Sequence, residues 1–325
     1  MGIVRTPLRL AREAARRWVW QPLIRARVDP ELGPRPWYDG TDAQRGIDEL
    51  DLGAADRERL EGWRRDGFLV LEGAIDPARL DTLTASIEAT WRGEVTPVWV
   101  EHYTPDRVLI DPVDARWRNE PHKLLDLHLH SPAARAVLAS PVLERWLHLL
   151  LGPRIDAFQS LVFERGTEQD LHRDTNFVGL TPPWQMVATW IALEDVEPGS
   201  GELEYLVGSH RLADYAFADG GHYLEPGEAV PAGYADHWLR QADEHGLERR
   251  RFLPRKGDVL LWHAGLVHGG SPISLPGSTR RSLVTHFCPT GAVPAYAWDR
   301  RKRLVRRHDG GLRLTAFPRR RRSGS

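Results

Sequence analysis

"GDVLLWHAGLVHGGSPISLPGSTRRSLVTHF", residues 257–287, reads as a strand, a loop carrying His263 and His268, and a second strand that begins with Arg280 and Arg281. Short apolar runs bounded by Gly, Pro and Ser are what strands joined by turns look like in a sequence. The same character extends back through "IDAFQSLVFE" (155–164), "QMVATWIALEDV" (185–196) and "GELEYLV" (201–207). Runs of this length and spacing predict an antiparallel sandwich or barrel. No internal repeat is present.

Ahead of residue 153 the pattern is different. After a Pro/Gly-rich connector (29–42), "GFLVLEGAI" (67–75) predicts a buried strand and residues 76–91 a helix, with Asp76 as its cap and Pro77 at its first position. Residues 131–139 and 140–152 each open with Ser-Pro and predict scaffold helices, the second closing at Gly152. Residues 211–256 are too long for a plain connection and are expected to form a lid or a substrate-facing insertion. The expected organisation is a basic amphipathic segment and connector (1–45), a main domain (46–298) and a basic tail (299–325).

The chain has 325 residues, ordinary hydrophobic and charged shares of 41% and 27%, and a net charge of −1. That balance hides basic ends, about +6 over residues 1–27 and about +9 over 299–325, around a middle near −16. An acidic centre argues against a nucleic-acid groove there, and no nucleic-acid partner is expected. The terminal "RRRR" (319–322) is read as part of a solvated tail. Residues 4–19 carry the stripe Val4, Leu8, Ala11, Ala15 and Val19 beside four arginines, a pattern that serves peripheral membrane contact or packing on the domain or a partner subunit. No apolar run is long enough to span a bilayer. A single cysteine, Cys288, excludes an intramolecular disulfide and fits a reducing, cytoplasmic setting.

Within "DLHRDTNFVG" (170–179), His172 and Asp174 lie two apart at what reads as a strand entry, so an imidazole nitrogen and a carboxylate oxygen can face one point. His-x-Asp alone is weak. The hairpin of 257–287 adds histidines for a third ligand and arginines that can fork onto a carboxylate. Two nitrogens and one carboxylate with open positions opposite suit non-heme Fe(II) used with dioxygen.

Taken together, "RRDGFLVLEGAID", "QSLVFE" leading to "HRD", "TWIALEDVEPGSGELEYLVGSH" and "GDVLLWHAGLVHGG" followed by arginine resemble the phytanoyl-CoA dioxygenase family of Fe(II)/2-oxoglutarate oxygenases, over about residues 60–290. The resemblance implies a mainly β fold with flanking helices around a double-stranded β-helix, a cupin-like jelly roll. It implies His172, Asp174 and His268 as iron ligands, with His268 taken over His263 because Gly and a small residue follow it. Arg280 is implied as the holder of the distal carboxylate of 2-oxoglutarate, with Arg281 on the opposite face of the strand. Trp190 and Lys123 fall where the family contacts 2-oxoglutarate, and Gln159 is expected to face the same pocket. Gly270 departs from the family pattern, which often has a serine there. His263 and His210 are expected to be structural.

The resemblance also implies the reaction: 2-oxoglutarate and dioxygen give succinate and carbon dioxide while a C–H bond of a small molecule is hydroxylated or otherwise oxidised. Retention of Asp174 argues against halogenation, which in this broad class goes with Ala or Gly at that position. Arginine- and alanine-rich composition suggests a high-GC bacterial source, where such enzymes tailor secondary metabolites or cell-surface components. Two other readings stay open: a silent 2-oxoglutarate- and metal-binding jelly roll acting as a sensor, and a cupin-type isomerase or hydrolase that uses no dioxygen.

Overall fold

The computed structural model describes residues 27–104, 107–217, 221–224, 228–294, 305–309 and 312–316. The basic stripe of 4–19 and the "RRRR" of 319–322 lie outside the described residues. Helices α1 (Ala43–Glu49) and α2 (Ala54–Asp66) lead into β1 (Phe68–Leu71). The chain leaves α2 through Gly67 at φ 82, a left-handed backbone that only glycine adopts without cost. Helix α3 (Pro77–Trp91) starts as its sequence predicts, the Asp76 carboxylate accepting from the Ala78 amide and Pro77 standing where no helical N–H partner is needed. Strands β2 (Trp99–Thr104), β3 (Arg107–Pro112) and β4 (His122–Leu125) follow, then α4 (Pro132–Leu138) and α5 (Pro141–Leu151).

The strand-rich half contains β5 (Ile155–Phe163), β6 (Leu180–Thr181), β7 (Val187–Ala192), β8 (Leu203–Leu206), helix α6 (Tyr234–His245), β9 (Arg249–Phe252), β10 (Val259–His263), β11 (His268–Gly270), β12 (Ser282–Pro289) and β13 (Val293–Pro294). A large sheet runs in the order β1-β10-β7-β12-β5-β4-β2-β3, and a small one in the order β11-β8-β9. Every pairing along these two paths is antiparallel. This is the mainly antiparallel jelly roll with flanking helices that the sequence predicts.

Alternation along the strands sorts the side chains into two cores. Leu283 and Phe287 of β12 lie with Val187, Ile191 and Leu261 against Leu83 and Ile87 of α3, Val137 of α4 and Trp146 of α5, the outer core. Val284, Trp190, Leu260 and Trp262 face the other way, against Leu203 and Tyr205 of β8 and Phe252 of β9. The inner face carries the site.

Two findings differ from the sequence reading. The chain does not leave the domain at 298: β14 (Val305–Asp309) pairs with β15 (Leu312–Ala316), and β15 lies parallel to β5. Leu312 and Leu314 join the outer core and Arg313 forks onto Asp156. A strand whose alternate residues are arginine and leucine looks like a basic tail until its partner is known. The strands β2 to β4 were not foreseen either, because Glu101, His102 and Lys123 break the apolar signal there.

Candidate metal centre

The His172-Arg173-Asp174 segment is not a strand. His172 forms an isolated antiparallel bridge with His268, its N–H donating to the His268 carbonyl at 2.8 Å and the His268 N–H returning at 2.9 Å. Arg173 is extended (φ −103, ψ 138), and Asp174 then opens a 3-10 turn through Asn176. One extended residue between them suffices to bring His172 and Asp174 to the same point.

Both histidines are held alike. Nδ1 of His172 lies 2.8 Å from the Asp170 carbonyl and Nδ1 of His268 lies 3.0 Å from the Leu266 carbonyl. A carbonyl only accepts, so each Nδ1 carries the proton and each Nε2 presents a lone pair. Asp174 Oδ1 lies 3.9 Å from His172 Nε2 and 3.6 Å from His268 Nε2, and one ligand atom from each residue falls within 4.8 Å of the others. All three side chains are buried. The donor set of two neutral imidazoles and one carboxylate fits a divalent first-row metal, Fe(II) included.

The electrostatics suit that use. Burial, reinforced by His268, pushes His172 down to about 4 against the pull of Asp174, so the imidazole stays neutral well below pH 7. Burial raises the Asp174 carboxyl, but His268, His286 and His172 outweigh it and hold the group well below the usual carboxylate range. The His172 imidazole and the Asp174 carboxylate are thus deprotonated in advance.

Deeper in the barrel, Arg280 is 3% exposed. Its Nη1 donates to the Gly201 carbonyl at 2.8 Å, its Nε is buried without a partner among the described residues, and its guanidinium lies 5.7 Å from the Trp190 ring and 5.8 Å from the Phe163 ring. Burial pushes Arg280 down to about 10, with Glu202 opposing, so it remains a cation. Arg281 faces outward to Glu194. Trp190, on the inner face of β7, has a buried Nε1 without a partner among the described residues. Gln159 stands opposite His286 on the inner face of β5, its buried Oε1 likewise unpartnered among the described residues. Lys123, in register with Glu101, holds its ammonium 2.8 Å from that carboxylate. Burial pulls the lysine down, but Glu101 and Tyr103 outweigh it and keep the amine charged.

The insertion packs directly behind the motif. The buried Arg173 donates to the carbonyls of Ser209, Leu212 and Ala213 and to Asp214, and stacks 4.4 Å from the Trp238 ring. Tyr234 of α6 donates to Asn176 at 2.6 Å, and Asn176 in turn donates to the His222 carbonyl. Gly270 is explained by a close approach: a Cβ there would lie 3.0 Å from the Glu168 amide nitrogen and 3.2 Å from that of Gln169. His263 lies on the outer face, 3.1 Å from Asp39, and His210 donates to the Arg64 carbonyl.

Sequence reasoning missed Trp262, His286 and Gln169. Trp262 donates to Asp174 Oδ2 at 2.8 Å, His286 Nε2 lies 3.4 Å from the same oxygen, and Gln169 Nε2 lies 3.3 Å from His172 Nε2. For His286 a signal was there: counting in twos from Arg280 through Ser282 and Val284 places it on the inner face.

An interior two-histidine, one-carboxylate set with a buried arginine, on a double-stranded β-helix, is the plan of the Fe(II)/2-oxoglutarate oxygenases. The family model described as phytanoyl-CoA dioxygenase (PhyH) matches residues 63–282, and the chain belongs to that family. It is an Fe(II)- and 2-oxoglutarate-dependent dioxygenase, an oxidoreductase. It is 23% identical over 259 residues to the peroxisomal phytanoyl-CoA dioxygenase of Rattus norvegicus, covering 73% of this chain and 70% of that protein. With the ectoine dioxygenase of Nocardia farcinica it shares 23% identity over 279 residues, 78% of this chain and 88% of the relative. The fold is also that of the epimerase SnoN, solved with Fe3+, alpha ketoglutarate and nogalamycin RO, at a TM-score of 0.55 and 21% identity over 74% of this chain and 86% of that one. Among the described residues no helix is long and apolar enough to cross a membrane.

Proposed function

We propose that His172, Asp174 and His268 hold Fe(II), that Arg280 grips the distal carboxylate of 2-oxoglutarate, and that the enzyme hydroxylates or otherwise oxidises an unactivated C–H bond of a small molecule. The observation that carries this is the shared tautomer of the two histidines, whose Nε2 lone pairs converge with Asp174 Oδ1 while both Nδ1 protons are committed to carbonyls. With iron, 2-oxoglutarate and dioxygen bound, such a centre yields succinate, carbon dioxide and an oxidised substrate carbon. The protein's work is placement. Arg280 has donors to spare and a dry setting between Trp190 and Phe163, where a carboxylate is bound strongly. Trp190 Nε1 and Gln159 supply polar atoms along the same wall. Lys123 reaches the same side, where its charge is felt at His172 and is paired with Glu101.

Inner-face residues of β7, β10 and β12 are buried, whereas Lys123, Gln159 and Leu161 of β4 and β5 are only half-buried. That difference favours a substrate entering on the β4–β5 side, past Glu101 and Tyr103. We place the reaction in the cytoplasm, in the tailoring of a secondary metabolite or cell-surface component, with peripheral membrane contact through residues 4–19 as a further element of the reading. The test is to add Fe(II) and 2-oxoglutarate to the apoprotein without oxygen and record the visible metal-to-ligand charge-transfer band. The wild type gives the band and Asp174→Ala and Arg280→Ala lose or weaken it. Absence of a band with metal demonstrably bound rejects the reading.

A further inference from the structure

Asp174 is flanked on two sides. Its Oδ1 is the oxygen turned to the two Nε2 atoms, and Oδ2 points away, accepting the Trp262 indole N–H at 2.8 Å. An indole can only donate, and a donor at that distance to a carboxylate makes a strong, charge-assisted bond. On the other side stands His286, 3% exposed, its Nε2 3.4 Å from Oδ2. Neither ring nitrogen of His286 has a hydrogen-bond partner among the described residues. A buried imidazole so placed is costly unless it serves something nearby, and the nearest carboxylate oxygen is Oδ2.

The sheet register explains how the two rings come to flank one carboxylate. Trp262 of β10 and His286 of β12 both pair with Ala188 of β7. The three form one row across the inner face, extended by Gln159 opposite His286 and by Phe68 opposite Trp262. Neighbouring strands lie about 4.8 Å apart, so the outer two of the three are about 10 Å apart. Ala188 between them has no side chain beyond Cβ, and the slot above it admits the Asp174 carboxylate.

On the reading that Asp174 is an iron ligand, we propose that Trp262 and His286 are positioning residues that engage Oδ2 and so confine the ligand to Oδ1 alone. Were a metal held by Asp174 Oδ1 and the two Nε2 atoms, confining the carboxylate to one oxygen would leave room for the keto acid and dioxygen, which a carboxylate binding through both oxygens would contest.

The experiment compares wild type, Trp262→Phe, His286→Phe, His286→Gln and the Trp262→Phe/His286→Phe double variant. Fe(II) affinity is measured anaerobically against a chromogenic chelator, and the 2-oxoglutarate dissociation constant by titrating the charge-transfer band, with unfolding temperature as the control for folding. Each Phe variant is expected to weaken 2-oxoglutarate binding or Fe(II) affinity about 10-fold, and the double variant about 100-fold, with a shifted band. His286→Gln keeps a donor and is expected to recover most of the loss. Variants that unfold at lower temperature yet bind both as the wild type does overturn the assignment. So does a His286→Gln variant no better than His286→Phe. A wild type that binds iron without giving the band rejects the functional reading itself, a separate failure read on a different sample.

Discussion

His263 and His268 sit five residues apart in one hairpin, both buried, each beside an aspartate, and they do opposite things with their protons. Nδ1 of His263 accepts from the Gly265 amide at 2.9 Å, so its proton is on Nε2 and is donated to Asp39 at 3.1 Å. Nδ1 of His268 donates to the Leu266 carbonyl, so Nε2 keeps its lone pair and meets Asp174 at 3.6 Å with no hydrogen bond between them. Burial pushes the Asp39 carboxyl up, but its bond to His263 and the nearby charges hold it below the usual range. His263 is a closed pair that ties the connector to the barrel; His268 is an open valence. On the proposed function, what separates the structural histidine from the candidate metal ligand is which ring nitrogen the backbone has claimed.

The largest expected contrast breaks this pair directly. His268→Ala is expected to abolish the charge-transfer band and lower metal affinity by more than about 100-fold, beyond what loss of an outlying contact costs, with a near-native unfolding temperature in the apoprotein. His263→Ala is expected to keep the band and to cost about 2–3 kcal/mol of stability, because Asp39 loses its partner in a site only 17% exposed. Urea unfolding and the anaerobic titration together measure both. Were His263→Ala to remove the band instead, the tautomer argument would be wrong.

The next contrast is between two neighbours just ahead of β12. Arg280→Ala is expected to weaken 2-oxoglutarate binding on the order of 100-fold, since it removes one partner of a buried charge pair. Arg281→Ala, which loses a long contact to Glu194 at 3.8 Å, is expected to change it by less than about 3-fold. A 2-oxoglutarate titration of each settles which face of the strand holds the co-substrate.

The last contrast is acid sensitivity. Burial pushes His210 down to about 3 and His172 to about 4, from an ordinary value of 6.5. Below pH 6.5 the unfolded chain takes up protons that the folded one refuses, so stability is full above that pH and falls as pH drops toward 4. Thermal unfolding of the apoprotein from pH 7 to 4.5 is expected to show this decline. His210→Gln is expected to flatten it in part, whereas added metal, which keeps its ligands deprotonated in the folded chain, is expected to leave the decline as steep or to steepen it. A midpoint independent of pH would remove the claim that these rings are buried neutral.

Much of this was legible in the chain. Alternating apolar runs placed β5, β7, β8, β10 and β12 to within a few residues, and Ser-Pro and Asp-Pro pairs marked the starts of α3, α4 and α5, because strand period and capping are local properties. His172 and Asp174 offered only a weak local signal, and His268 and Arg280 were implied by the resemblance to the family rather than by spacing. The arginine-leucine strand β15 was hidden because its partner β5 is some 150 residues away in the chain. Asp39 could not be linked to His263 for the same reason, the two being 224 positions apart.

From the residues alone came the strand-rich class of fold and the His172 and Asp174 pair, set by side-chain chemistry and a period of two, while His268 and Arg280 were what the family resemblance implied. Only the folded chain decided which hydrogen each imidazole keeps, which arginine is dry, and that Trp262, Ala188 and His286 form one row around Asp174. Those depend on register between strands distant in sequence, where a shift of one residue would turn every one of these side chains to the other face of the sheet.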